Sequence, residues 1–373
     1  MILKNASYIE LFEKIKQEQR SVIVYGAGAI GKIVVPYLIK KYQLEPYISC
    51  YVDKDTWKNG QIIEAGTGRF EIKTLEELKR ADKNTIILIT NSNFQSVIKA
   101  LDEITELDSN EAYVIPVMQM KDTEPGAGSV AADIKRTDKP LIPRIIHYTW
   151  FSGEEIPDHL QKCIDSWSKY APDYEIRQWN ASNYDIGKNP YMRQAYQQKK
   201  WGYIADVARL DILYQYGGIY MDTDVEMLKK PDDLLYQPAF CGVEKWGVVN
   251  MGGCSGAASG NQIIKAMLDY RKNEVFVRPD GSLNKEPSGA YETQPLVSLG
   301  LEINNRTQVV GDMTVYASDF FHPYDYMSGE TRLTENTYSI HYFHGGWLDE
   351  SVRQQRKKAS IEFNQLLDRM QCN

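Results

Sequence analysis

The sequence predicts an α/β protein built from two units. Strand-like and helix-like stretches alternate over residues 1–118, which implies a parallel sheet of the doubly wound kind. The stretch 119–139 breaks that alternation with Pro125, Gly126, Gly128 and mixed charges, and reads as a linker. From residue 140 to 373 a second mixed α/β unit follows, with longer polar loops. A length of 373 residues suits about two domains.

Composition narrows the partners. With 43% hydrophobic and 25% charged residues, sizeable cores can form. The net charge of −7 argues against a nucleic-acid partner, because no basic surplus is left to neutralise phosphates. The 25 tyrosines and 7 tryptophans suit stacking on sugar rings and bases, and suit cores equally well. Five cysteines, Cys50, Cys163, Cys241, Cys254 and Cys372, are scattered and never spaced Cys-x-x-Cys, so neither a disulfide framework nor a zinc knuckle is expected. Residues 1–20 read as a charged amphipathic helix and not as a signal peptide. No apolar run approaches the roughly 20 residues that span a bilayer. The expectation is a cytoplasmic protein without a transmembrane segment.

In the first unit, an apolar strand at 21–25 leads into Gly26-Ala27-Gly28-Ala29-Ile30-Gly31 and a helical run to about residue 41. Further strands are expected at 48–52, 85–90 and 113–117. A short helix is expected after the capping box Thr74-Leu75-Glu76-Glu77, and another helix over 94–107. A Gly-x-Gly-x-x-Gly turn between strand and helix can bring backbone N–H groups against a pyrophosphate. Asp53, 22 residues past Gly31, stands near where a ribose-binding acid belongs. Gly26, Gly28, Gly31 and Asp53 are therefore candidate nucleotide-binding residues, with a plain tight crossover as the alternative. No hydride-transfer machinery accompanies them. Tyr37-x-x-x-Lys41 and Tyr196-x-x-x-Lys200 are chance-level matches. This unit resembles the small Rossmann-like modules found beside bacterial polysaccharide-assembly enzymes, which implies a regulatory or degenerate role.

The chemistry concentrates in the second unit. Apolar residues at 204, 207, 208, 210, 213 and 214 give a helical face, and Gly217 ends that helix. Asp206 and Arg209 are three apart and so are neighbours on it. After Gly217-Gly218, an apolar strand over 219–221 delivers Asp222 and Asp224. If strand geometry persists, period-two alternation points both carboxylates the same way. Paired oxygens of that kind suit a hard divalent cation that also holds phosphate oxygens.

Several blocks together resemble glycosyltransferase family 32, the Asp-x-Asp sugar transferases of capsular and lipopolysaccharide synthesis. It is similar also to the catalytic domain of the large glucosylating toxins. The blocks are Ile142-Pro143-Arg144-Ile145-Ile146-His147-Tyr148-Thr149-Trp150-Phe151, then Ser166-Trp167, Pro172-Asp173-Tyr174-Glu175, Asp206 to Arg209, Tyr216-Gly217-Gly218-Ile219-Tyr220, Asp222-Thr223-Asp224 and 341–347. They run in order over roughly 140–350.

The resemblance implies a GT-A-type fold and metal-dependent, retaining transfer. A hexose or N-acetylhexosamine would pass from a UDP-sugar to a glycan or lipid-linked acceptor. It implies that Trp150 stacks on the base, that Asp206 and Arg209 grip sugar and phosphate, and that Tyr220, Asn250 and Trp347 help line the donor pocket. Asp222 would hold ribose or sugar oxygens directly or through Mn²⁺ or Mg²⁺. Asp224 would be the direct metal ligand, with His341 closing the metal site and His344 its rival. Asp222, Asp224 and Arg209 are the expected catalytic residues. Glu292-Thr293-Gln294-Pro295 departs from the Thr-Gly-Pro that is more usual there, which bears on acceptor recognition.

Two other readings compete. A phosphotransferase of the haloacid-dehalogenase kind would use Asp222 as nucleophile, but Glu226 stands where that motif wants Thr or Val. A non-catalytic nucleotide- or sugar-binding module would not need the Asp224–His341 pair. The tail carries Arg353, Arg356, Lys357 and Lys358 on a polar helix. That face is expected to be solvated, with contact to anionic membrane as the alternative.

Overall fold

The computed structural model describes residues 1–122, 134, 136–326, 328–344, 363, 365, 366 and 368–370. The chain divides into two compact units. The first comprises Met1–Glu124, Glu302–Asn304 and Gln354–Asn373; the second comprises Pro125–Leu301 and Asn305–Arg353.

Among the described residues the first unit holds seven strands: β1 (Ile2–Leu3), β2 (Ser21–Tyr25), β3 (Ile48–Val52), β4 (Ile62–Ala65), β5 (Gly68–Lys73), β6 (Thr85–Ile89) and β7 (Glu111–Val114). They form one sheet in the order β1-β7-β6-β2-β3-β5-β4. Every pairing is parallel except the β4–β5 hairpin, so the sheet is doubly wound about β2. β6 is buried along its whole length, as an apolar run in a sheet covered on both faces should be. Helix α1 (Tyr8–Gln17) opens on a capping box between Ser7 and Glu10. α2 (Val35–Tyr42) follows a wide π turn over Ile30–Val34, and α3 (Phe94–Asp102) and α4 (Ile115–Asp122) complete the unit.

Three local expectations change. The capping box at Thr74 does not form; Leu75–Arg80 is a 3₁₀ helix and the Thr74 side chain makes no cap bond. The strand expected at 113–117 ends at Val114, and the chain turns into α4 with Pro116 in its first turn. There the missing N–H costs nothing, whereas a sheet ladder would need it. The hairpin of β4 and β5 was not foreseen; it turns at Gly66, whose φ is 58°. The linker residues Pro125, Gly126 and Gly128 lie outside the described residues. The C-terminal residues Gln354–Asn373 group with the first unit and not, as expected, with the second. There Phe363 meets Phe94 edge-on at 6.4 Å between ring centroids, and Arg369 pairs with Asp102 at 2.9 Å.

The second unit continues with β8 (Ile145–Thr149), β9 (Glu175–Trp179), β10 (Gly218–Tyr220), β11 (Val225–Met227), β12 (Ala239–Val243), β13 (Val249–Asn250), β14 (Ser255–Ala257), β15 (Gln308–Val310), β16 (Met313–Tyr316) and β17 (Ser339–His341). A mixed sheet runs β15-β16-β12-β14-β10-β8-β9, with β13 also on β12, while β11 and β17 form a separate antiparallel ribbon. The helices are α5 (Asp158–Tyr170), α6 (Pro190–Gln197), α7 (Trp201–Tyr216), α8 (Gln262–Tyr270), α9 (Ser288–Ser298) and α10 (Ser318–Phe321). One core gathers Ile146, Trp167, Ile219, Met221, Phe240 and Phe321; another packs Tyr191, Ile204, Val207, Ala208 and Phe276 around α6 and α7. The α/β class expected for both units holds, and the second is built on a mixed sheet. Among the described residues no helix is long and apolar enough to cross a membrane.

Candidate active site

The site grows from the end of α7. That helix is buried nearly all round, more than the expected single face, and stops at Gly217 (φ 65°) and Gly218 (φ 98°). Both φ values lie where only glycine sits without strain. His147 on β8 pins this break. Trp179 Nε1, which can only donate, reaches His147 Nδ1 at 3.1 Å, so Nε2 carries the proton and donates to Gly217 O at 2.9 Å. Burial pushes the His147 pKa down to about 4, with Arg177 adding to that and the Gly217 bond opposing it. A side chain at Gly218 would meet His147 Nε2 at 2.9 Å, so the imidazole needs that glycine.

From the break, β10 runs to Tyr220, and here the expectation of a continuing strand fails. Asp222-Thr223-Asp224 is a turn, closed by Val225 N–H donating to Asp222 O at 3.1 Å, and β11 starts afresh at Val225. The two acids converge through this turn and not through strand alternation. β11 pairs with β17, which sets Val225 opposite His341 and carries that histidine to the acids. One ligand atom each from Asp222, Asp224 and His341 lie within 4.8 Å of one another. His341 Nε2 stands 3.3 Å from Asp224 Oδ1, and the His344 backbone N–H donates to Asp224 Oδ2 at 2.8 Å. Burial would raise the Asp224 pKa, but His341 and these hydrogen bonds outweigh it and hold the carboxyl below its ordinary range. The His341 pKa is correspondingly raised, Asp224 overcoming desolvation.

His344 thus contributes main chain. Its ring packs against His159 and Tyr342, outside the cluster of Asp222, Asp224 and His341. Trp347 lies outside the described residues, as do Arg353, Arg356, Lys357 and Lys358.

Arg209 sits beside the acids, 4% exposed. It faces Asp206 at 2.8 Å, Asp222 at 3.4 Å and Glu292 at 3.5 Å, and lies over the Tyr220 ring at 5.5 Å. Burial works against its charge, but three carboxylates more than compensate, so the guanidinium is fixed as a cation. Burial raises the Asp206 pKa. Tyr220 is fully buried; its hydroxyl donates to Asp222 Oδ1 at 3.0 Å and meets Thr149 Oγ1 at 3.0 Å, so it orients the acid. Asn250 likewise turns inward. Its Nδ2 donates to Glu244, while Oδ1 accepts from Gly252 N at 2.9 Å and Gly253 N at 3.2 Å. That loop touches the first acid directly, Asp222 N–H donating to Gly252 O at 2.8 Å. Trp150 follows β8, partly exposed, with Nε1 donating to Glu154 O.

In the sequence, Glu292 and Thr293 stood out only as a departure from the more usual Thr-Gly-Pro, bearing on acceptor recognition. The structure fastens them to this cluster. Glu292 is completely buried on α9 and accepts from Met251 N at 3.1 Å, while Thr293 Oγ1 accepts from Val249 N at 2.9 Å. Burial pushes the Glu292 carboxyl up to about 7 against the pull of Arg209. Arg271 was missed altogether. Buried between Tyr191 and Tyr291, it donates to Asp206 O at 3.2 Å. Its only signal was one arginine near the end of an apolar helix. A surface groove of about 630 Å³ lies along residues 181–187 with Arg193, Tyr196 and Gln197, and contains none of the acid cluster.

In the first unit the glycine turn is tied to itself. A Cβ on Gly31 would lie 2.0 Å from Gly26 O, and Gly26 has φ 106°, whereas Gly28 faces open space. Asp53 Oδ2 accepts from Ala27 N at 2.7 Å, and Lys58 Nζ donates to Ala27 O at 2.9 Å. The acid expected on a ribose is bonded to the turn.

An acid pair, a histidine and a caged arginine thus gather where β10 ends in the second unit. Residues 157–241 match the family described as "Glycosyltransferase sugar-binding region containing DXD motif". It is 36% identical over 120 residues to inositol phosphoceramide mannosyltransferase 3 of Schizosaccharomyces pombe, covering 29% of this chain and 31% of that protein. It is 38% identical over 108 residues to mannosyl phosphorylinositol ceramide synthase SUR1 of Saccharomyces cerevisiae, covering 27% of each. Among solved structures, the PaToxG glycosyltransferase superposes with a TM-score of 0.36 and 18% identity, over 55% of this chain and 77% of that one. The chain spans about 30% of the length of the first relatives it matches. Those relatives' names speak of inositol phosphoceramide in yeasts, whereas bacterial surface polysaccharide was the setting that the family resemblance implied.

Proposed function

We propose that the protein transfers a hexose from a nucleotide diphosphate sugar to a hydroxyl acceptor, with a divalent cation held by Asp222, Asp224 and His341. The observation that carries this reading is the convergence of those three side chains within 4.8 Å, beside a buried arginine. Two carboxylates and one imidazole suit Mn²⁺ or Mg²⁺, and His341 would offer Nε2, which now faces Asp224 at 3.3 Å, as a neutral imidazole. When bound, such an ion neutralises charge on the departing diphosphate, an effect worth several kcal/mol.

The protein's own groups do the rest. Arg209, held cationic among Asp206, Asp222 and Glu292, supplies fixed positive potential without reorganising. Tyr220 and the Gly252 carbonyl keep Asp222 in one orientation. Trp150, partly exposed beyond β8, offers an aromatic face for the base. The relatives' names favour including mannose among the donors tested, and an inositol-containing lipid among the acceptors. UDP donors remain the first expectation.

The test is nucleoside diphosphate release from a panel of UDP- and GDP-sugars, with Mn²⁺, with Mg²⁺ and with a chelator. Release from at least one donor that stops on chelation is expected. Release indifferent to chelation, or none from any donor, would overturn the proposal.

A further inference from the structure

Resting on the transferase reading above, we propose that Glu292 is a positioning residue: its buried carboxylate locks Arg209 and the 249–253 loop together against Asp222. The argument begins with cost. A carboxylate with no exposed surface is expensive to bury, and an apolar side chain of similar size would fill the same space more cheaply. Both oxygens of Glu292 are committed, and to different segments. Oε1 faces Arg209 Nη1 at 3.5 Å, and Oε2 accepts from Met251 N at 3.1 Å.

These segments are the two walls that confine Asp222. Arg209 reaches Asp222 Oδ2 at 3.4 Å, and Gly252, next to Met251, accepts the Asp222 N–H at 2.8 Å. Of the three carboxylates around Arg209, Asp206 rides on the same helix and Asp222 is the group to be served. Glu292 ties the guanidinium to a third element, α9. Thr293, its neighbour, fastens the same loop two residues earlier through Val249. There is little slack between the walls: a Cβ on Gly252 would lie 2.1 Å from Asp222 Oδ2 and 3.0 Å from Arg209 Nη1. A shift of Arg209 or of the loop must therefore be felt at Asp222.

The experiment is a double-mutant cycle of Glu292→Gln with Arg209→Lys on the full chain, read as kcat and KM for the donor, with a crystal structure of Glu292→Gln. Alone, Glu292→Gln is expected to lower kcat/KM by about 10–100-fold, as for other groups that hold a site's direct contacts. The loss should fall mainly on kcat. In the Arg209→Lys background the same change should cost less than about threefold, because coupled residues are not additive. The crystal structure should show Arg209 withdrawn from Asp222. Equal losses in both backgrounds, or an undisplaced Arg209, would overturn the proposal. If Glu292→Gln does not fold, Glu292→Asp keeps the charge, shortens the reach, and is read by the same two criteria. Should the wild type turn over no donor, the transferase reading fails, while the position of Arg209 in the crystal still decides this one.

Discussion

Acid should weaken this protein through His147, and by an amount the structure sets. The imidazole is buried, neutral when folded, and its pKa falls from 6.5 to about 4. Between those values the unfolded chain binds the proton and the folded one does not. Folding stability therefore falls as the pH drops through that window, and levels off below about 4. Applying the linkage relation to the two pKa values from pH 7 to pH 5 gives a loss of about 2 kcal/mol from this residue alone. Other buried groups contribute: the His322 pKa is also lowered by burial, and that of Glu292 is raised, with opposite sign. A comparison with His147→Gln removes them, since both proteins carry them. Urea denaturation of the two proteins at pH 7, 6 and 5 should give curves of stability against pH that converge by about 2 kcal/mol toward acid. Parallel curves would refute the assignment of a neutral, buried pin at the Gly217 break.

Three further outcomes are expected. Gly252→Ala should cut turnover by about 100-fold, because its methyl would stand 2.1 Å from Asp222 Oδ2 and must displace a reacting-site group; steady-state kinetics measures it. Asp224→Ala should abolish detectable turnover and weaken Mn²⁺ binding in calorimetry while the circular dichroism spectrum is retained. Trp167→Phe should cost about 1–3 kcal/mol in chemical denaturation, since the Val225 carbonyl that accepts from Trp167 Nε1 at 2.8 Å would be left buried without a partner.

How much of this was legible follows from the range of the interactions. The doubly wound sheet of the first unit was readable because each apolar strand and each helix announces itself within ten residues or so, and sequential elements pair. The Asp206–Arg209 pair was readable from helical spacing. The meeting of Asp222 with Asp224 was anticipated, but for a reason the turn at Thr223 replaces; a short strand gives no sign of where its period-two geometry ends. Glu292, Arg271 and the bonding roles of Tyr220 and Asn250 depend on which segments the tertiary fold apposes, and local pattern carries no information on that. Glu292 did leave one trace: a carboxylate amid the otherwise uncharged residues of α9. Charge in such a place invites a search for its partner.

The ribbon of β11 and β17 sets a timetable for the nascent chain. Val225 must wait for His341, 116 positions later, before the acid pair meets its imidazole. Closing so long a loop is slow relative to local folding. On the ribosome, the sheet strands through β16 can emerge before the histidine does. An enzyme assembled in that order would hold its catalysis in abeyance until the distant ribbon strand docks.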